Sequence, residues 1–200
     1  MDLTDAEAKA GLRKDLRARR KTHVAALDAR FMALMFKRPP SPVTALVPPG
    51  ATVAVYVAAP DEAPTLAYAQ HFHEAGHKIA LPWFENRNSP MTFREWVSPW
   101  LDDILVPGPW SGIVQPGADA PEIVPDVLFV PLVGFTADGA RLGQGGGHYD
   151  RWLEAHPGAL PIGLAWDCQL AGDLPREAHD WPLHAVVTPT RIYGPWEAQE

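Results

Sequence analysis

The sequence predicts an α/β protein: one domain, a mostly parallel sheet with helices on both faces, and an N-terminal helical arm. Three observations support this. Residues 52–81 read as strand, helix, strand, with apolar 52–58, a helical stretch 63–75 stopped by Gly76, and apolar 78–81. The longest apolar run, 127–135, passes through a polar turn at Ala137-Asp138-Gly139 into a glycine run that opens another helix. Further short apolar runs near 112–114, 161–166 and 184–188 supply the remaining strands. Strand–helix alternation of this kind builds a Rossmann-like sheet.

Taken in order, Thr4 with Glu7 has the spacing of a capping box and predicts a helix to about residue 21. Leu12 and Leu16 mark its apolar side, while Lys9, Arg13 and Arg17 fall at i, i+4 and i+8 along one face. Spacing alone leaves open whether that basic face is solvated or meets a phosphate. A second helix is expected with Val24, Leu27, Phe31 and Leu34 inward, ending before Pro39-Pro40. The chain then divides into a basic helical arm (1–38), a proline-rich connector (39–50) and an α/β body (51–200). The tryptophan-rich segment 83–110 reads as an irregular lobe and a pocket wall.

Composition sets bounds on function. Two hundred residues suit one domain, since chains of this size bury roughly 70% of their unfolded surface. With 46% hydrophobic and 20% charged residues the chain is ordinary for a globular protein. Its 22 prolines imply long ordered loops around a sheet rather than a helical bundle. The one cysteine, Cys168, excludes an internal disulfide, points to a reducing compartment and has no activating neighbours in sequence. A charged N-terminus and the absence of a run long enough to span a bilayer lead to the expectation of a cytoplasmic protein without membrane contact. The net charge of −7 argues against general nucleic-acid binding. It is uneven, however: residues 1–40 carry ten Lys/Arg against five Asp/Glu. Such an arm could touch RNA or close over a polyphosphate.

The segment Arg141-Leu142-Gly143-Gln144-Gly145-Gly146-Gly147-His148-Tyr149-Asp150 carries the chemistry. Glycines let backbone N–H groups approach an anion, and the following helix points its positive end to the same place. Arg141 offers a fork for phosphate oxygens and Asp150 a hard oxygen ligand for Mg²⁺. The spacing fits neither a Walker A loop nor the dinucleotide fingerprint. A ligand-free connection would also be glycine-rich, but such turns seldom gather a cation, an aromatic and an acid. Glu62 follows a strand end, where it could either face a ligand or complement a helix dipole. No histidine pair has zinc-ligand spacing together with a third partner, so no transition metal is assigned.

The run RLGQGGGHYDRWL resembles the signature loop of the 5-formyltetrahydrofolate cyclo-ligases, RLGxGxGYYDR. Other landmarks follow in order. Lys9 to Arg13 resembles the family's KxxLR, and Val55-Tyr56 with Asp61 to Thr65 is similar to its strand and ExxT. Leu81-Pro82, Met91-Thr92-Phe93, Gly112 to Pro116, His179-Asp180 and Val186-Val187-Thr188 continue the likeness. Three positions depart: Gly146 where many members carry Lys, His148 for the first Tyr, and Gln115 for a usual Glu.

The resemblance implies ATP-dependent cyclisation of 5-formyltetrahydrofolate, with ATP and Mg²⁺ required. It implies that Lys9, Arg13, Arg141, Gly143, Gln144, Gly145, Gly146, Gly147, His148 and Tyr149 surround the nucleotide. Val57, Glu62, His148 and Tyr149 would meet the folate, Asp150 and Asp180 would hold the metal, and Arg141, Tyr149 and Asp150 would lie at the reacting atoms. Two alternatives remain at this point: a nucleotide- or phosphate-binding enzyme of the same fold with another substrate, and a nucleotide- or RNA-binding module.

Overall fold

A computed structural model of the chain describes residues 5–32, 34–101 and 104–196. The chain enters through α1 (Asp5–Ala25), passes two single turns, α2 (Ala29–Met32) and α3 (Ser41–Thr44), and continues into β1 (Thr52–Ala54), α4 (Leu66–Glu74) and β2 (Lys78–Trp83). β3 (Thr92–Glu95) returns along β2, β4 (Leu105–Pro107) pairs with β5 (Val114–Pro116), and β6 (Val127–Pro131) comes back to the sheet centre. A ribbon of β7 (Gly134–Phe135) and β8 (Arg141–Leu142) precedes α5 (His148–Ala155), β9 (Leu160–Leu164), β10 (Ala185–Val187) and β11 (Ile192–Tyr193).

The central sheet runs β11-β10-β9-β6-β1-β2-β3. Its five inner strands are parallel, and each edge strand is antiparallel. Successive residues of β6 serve opposite layers. Val127 and Phe129 pack with Tyr68, Ala69 and Phe72 of α4; Leu128 and Val130 pack with Trp152 and Leu153 of α5. The predicted α/β class with helices on both faces is therefore the observed one. From β1 the chain winds outward to β2, and from β6 it winds the other way to β9 and β10. The crevice beyond the carboxyl ends of β1 and β6 is thus the switch point where such sheets place ligands.

Several elements differ from expectation. The second helix is reduced to a single turn: α1 runs on through Val24, and Asp28 Oδ1 accepts the Arg30 amide at 2.7 Å to start the short α2. Phe31 and Leu34 are 64% and 65% exposed, whereas Phe36, at φ 56°, turns inward against Tyr68 and Trp166. The connector is packed, with α3 burying Val43 behind a proline-led first turn. β1 is shorter than expected because Tyr56 is recruited elsewhere. Its carbonyl accepts the Thr65 hydroxyl and its own hydroxyl donates to Ala63 O, which also delays α4 to Leu66. The lobe 83–110 holds β3 and β4. Thr4 of the expected capping box lies outside the described residues.

α1 docks with charge as well as apolar surface. Leu16 packs with Val133, Ala140, Leu142 and Leu174. Lys9 and Arg20 are both 4% exposed, and the turns between them place them on the same face as Leu16. Arg20 Nε meets Asp61 Oδ2 at 3.0 Å and Nη1 donates to Leu132 O at 3.2 Å, with Glu62 Oε1 3.8 Å away. Arg20→Ala should therefore destabilise the protein by about 2–4 kcal/mol, the range for breaking a buried ion pair whose acid keeps some solvent. Arg20→Lys, lacking the fork, should recover only part. Urea unfolding midpoints check this, and equal midpoints for wild type and Arg20→Ala would contradict it.

Candidate active site

A cavity of about 540 Å³ occupies the switch-point crevice. The loop after β1 delivers Tyr56, Val57 and Glu62 to it. The loop after β8 delivers residues 143–147, α5 delivers His148, Tyr149 and Asp150, and α1 delivers Lys9 and Arg13. Phe84, Trp110, Glu177, His179 and Asp180 complete the lining used below. Every residue to which the family resemblance gives a ligand or metal role thus borders this one space, whereas Arg17 and Gln115 do not.

The glycine loop needs its glycines where the backbone turns left-handed, at Gly145 (φ 107°) and Gly147 (φ 62°), the latter forming the N-cap of α5. No side chain caps that helix. The amides of Gln144, Gly145 and Gly146 donate to no protein group among the described residues. They are free donors beside a helix N-terminus, the arrangement that holds anions. Arg13 Nε donates to Gly143 O at 3.0 Å, which fixes its guanidinium over Gly145. Arg17 donates to both the carbonyl and the side-chain Oε1 of Gln144. Arg13 and Arg17 of the basic stripe of α1 therefore contact the loop.

Acids and cations are paired within the cavity. Arg141 Nη2 binds Asp150 Oδ1 at 2.5 Å, and the Trp181 amide reaches the same oxygen at 3.2 Å, so Asp150 sits beside the Asp180 segment. Arg141 Nε is buried with no partner among the described residues, which fits a site completed by an anion. Lys9 Nζ lies 2.6 Å from both Glu177 Oε2 and Asp180 Oδ2. Glu177, His179 and Asp180 offer ligand atoms within 4.8 Å of one another. Two hard carboxylates there, with Asp150 alongside, suit Mg²⁺. Burial works against a charged Lys9, but its bonds to Asp180 and Glu177 outweigh this and raise its pKa. Burial likewise opposes the Asp180 carboxylate, and the Lys9 bond more than compensates, lowering its pKa. Burial, reinforced by Glu62, raises the Tyr149 hydroxyl's pKa, so it remains a donor.

Beside the glycine loop, Glu62 Oε2 accepts the Ala59 amide at 3.0 Å and Oε1 accepts Gln144 Nε2 at 2.8 Å. Phe84, Trp110 and His148 meet edge-on as an aromatic wall. Burial first, and then Arg151, lowers the pKa of His148, which keeps the ring neutral at pH 7. Glu177, Arg20 and the Phe84–Trp110 pair escaped the sequence reading, which gave Arg17 a place on the basic stripe but no ligand role. Continuing the stripe of Lys9, Arg13 and Arg17 by three residues would have reached Arg20.

Residues 5–189 match the model of the 5-formyltetrahydrofolate cyclo-ligase family. The chain belongs to that family. A 5-formyltetrahydrofolate cyclo-ligase of Escherichia coli K12 is 35% identical over 148 residues, 71% of this chain and 80% of that one. One from Mycolicibacterium smegmatis is 31% identical over 152 residues, 71% and 75% of the two chains. The fold of the Aquifex aeolicus 5,10-methenyltetrahydrofolate synthetase superposes with a TM-score of 0.74 at 24% identity, covering 96% of this chain and 95% of that one.

Within the family pattern, the departures have local causes. Gln115 does not line the cavity: its Oε1 accepts the Phe84 amide at 3.1 Å and its Nε2 donates to Phe84 O at 2.9 Å. An amide can serve both; a carboxylate could not donate. Gly146 lies under the His148 ring, whose Cδ2 would come within 2.7 Å of any Cβ there. The two departures at 146 and 148 are thus sterically linked.

The Lys9–Asp180 pair makes the docking of α1 depend on pH. For Lys9, the stabilisation is complete below its ordinary value of 10.5 and is lost as pH rises through the raised value. For Asp180, it is complete above 3.8 and is lost as pH falls through the lowered value. The stability difference between wild type and Lys9→Met should accordingly be constant between roughly pH 5 and 9 and shrink outside it. Thermal melts across that range measure it, and a difference that varies near neutrality would refute the pairing.

Proposed function

We propose that this chain catalyses the ATP-dependent cyclisation of 5-formyltetrahydrofolate to 5,10-methenyltetrahydrofolate, releasing ADP and phosphate. One observation carries the reading: free loop amides and Arg13 line the same cavity as a part-buried carboxylate, Glu62, and an aromatic wall. An anion-binding loop and a carboxylate suited to an aminopyrimidinone edge therefore share one space.

A formamide carbonyl is a poor electrophile, so the folate's N10 does not close on it unaided. The formyl oxygen attacks the γ-phosphorus and ADP leaves. N10 then attacks the activated carbon, its proton passes to the departing phosphate, and phosphate leaves with the former formyl oxygen. The residues position and neutralise rather than bond covalently. The loop 143–147, Arg141, Lys9 and Arg13 hold the phosphates, and protonated Tyr149 donates beside the transferring group. Glu62, Val57 and His148 hold the folate. Asp150 and Asp180, with Glu177 adjacent, would hold Mg²⁺, whose charge offsets that of the phosphates. The inward commitment of Lys9, Arg13, Arg17 and Arg20 leaves little of the arm's basic stripe for RNA. No helix among the described residues is long and apolar enough to cross a membrane.

Purified protein with ATP, Mg²⁺ and 5-formyltetrahydrofolate should generate the ultraviolet absorbance of the methenyl product. ATP hydrolysis indifferent to folate, without that absorbance, would reject the reading. Asp150→Asn removes a formal charge from the proposed metal shell and should lower turnover roughly 10²-fold in protein that remains folded by circular dichroism. Near-normal turnover would leave Asp150 as no more than a partner for Arg141.

A further inference from the structure

The Gln144 side chain has one amide orientation compatible with its neighbours. Arg17 brings Nε and Nη2 to 3.1 and 2.8 Å from Gln144 Oε1. A guanidinium carries donors only, so the atom facing it must be the oxygen. The amide nitrogen is thereby turned to Glu62 Oε1, 2.8 Å away. A further bond of 2.9 Å from Arg17 Nη2 to Gln144 O ties down the peptide as well. Gln144 and Glu62 line the cavity; Arg17 does not.

Without Gln144, the Glu62 carboxylate would be directed only through Oε2, by the Ala59 amide. Arg20 is 3.8 Å from Oε1, close enough to attract the charge but too far to fix its direction. The second point that sets the plane of the carboxylate comes from Gln144, which Arg17 holds in turn. We propose that Arg17 and Gln144 act as one positioning strap that orients Glu62 for the folate and joins it to the glycine loop. The proposal rests on the assignment of Glu62 to the folate end. It makes Arg17 and Gln144 positioning residues for substrate recognition, reaching from α1 through the loop to the acid.

Steady-state kinetics of the full chain test it, with thermal melts as a control for folding. Arg17→Ala and Gln144→Ala should each raise the folate KM about three- to tenfold, the worth of one net hydrogen bond, with kcat little changed in Arg17→Ala. The double variant should be no worse than either single one, and neither change should add to Glu62→Gln. Gln144→Glu separates orientation from loop anchoring. It keeps an acceptor for Arg17 but presents a second carboxylate to Glu62, so it should raise the folate KM at least as much as Gln144→Ala. Additive effects on the Glu62→Gln background, or a Gln144→Glu enzyme with normal KM, would overturn the strap alone. A wild-type protein that forms no methenyl product would overturn the assignment of Glu62 and the strap with it.

Discussion

Lys9 and Arg20 carry their charges from α1 into nearly solvent-free positions, and each meets carboxylates there: Glu177 and Asp180 for one, Asp61 and Glu62 for the other. Burying an ion costs several kcal/mol unless it is paired, so α1 has one favourable seat on the body and few alternatives near it. Close backbone approach reinforces that seat. A Cβ on Gly134 would lie 2.6 Å from Leu16 Cδ1, so the absence of a side chain there lets the helix settle against the β7–β8 ribbon. Once seated, α1 presents Arg13 and Arg17 to a loop 130 and 127 residues away in sequence. That loop has no capping side chain of its own at the start of α5. Its shape therefore depends on the arm, and the arm on buried charge.

The same pairing leaves the cavity electrostatically balanced. Arg141 faces Asp150, Lys9 faces Asp180 and Glu177, and Arg20 lies near Glu62. A polyphosphate entering alone would draw cations away from acids and leave carboxylates unpaired, which is costly in a partly desolvated site. A polyphosphate arriving with a divalent cation supplies a partner for each side. On the proposed function, charge balance within the cavity would favour a metal–nucleotide complex over the bare nucleotide. The sheet contributes position rather than charge, because the reversal of winding between β1 and β6 opens the crevice in which these groups converge.

The α/β class was legible because its signals are periodic and local: buried runs of strand length, a helix stopped by Gly76, and a glycine loop opening α5. The errors lie where tertiary partners overrode local pattern. Phe31 and Leu34 have helical spacing with Val24 and Leu27, yet Phe36 takes the buried place by adopting a left-handed backbone that no periodicity reveals. Residues 56–58 look like strand, but Thr65 and Ala63 draw Tyr56 into a loop. β3 and β4 were missed because their runs are only four and three residues long, and their pairing is antiparallel at an edge or outside the main sheet.

The site was legible to a different depth at each residue. Glycines, Arg141 and Asp150 announce themselves because their chemistry is tied to their spacing. Gln144 carries no such signal: its significance lies wholly in a guanidinium on another element and an acid on a third. Arg17 looked like one more solvated cation for the same reason. Gln115 shows the converse, a polar residue that could have been read as a ligand contact but whose amide instead clamps the backbone of Phe84. That clamp fixes Phe84, which with Trp110 meets the His148 ring, and the ring in turn lies over Gly146. Positions 115, 146 and 148 thus belong to one packing unit along the cavity wall. A larger side chain at 146 requires the ring at 148 to move, and that ring is held by the aromatics that Gln115 helps to place.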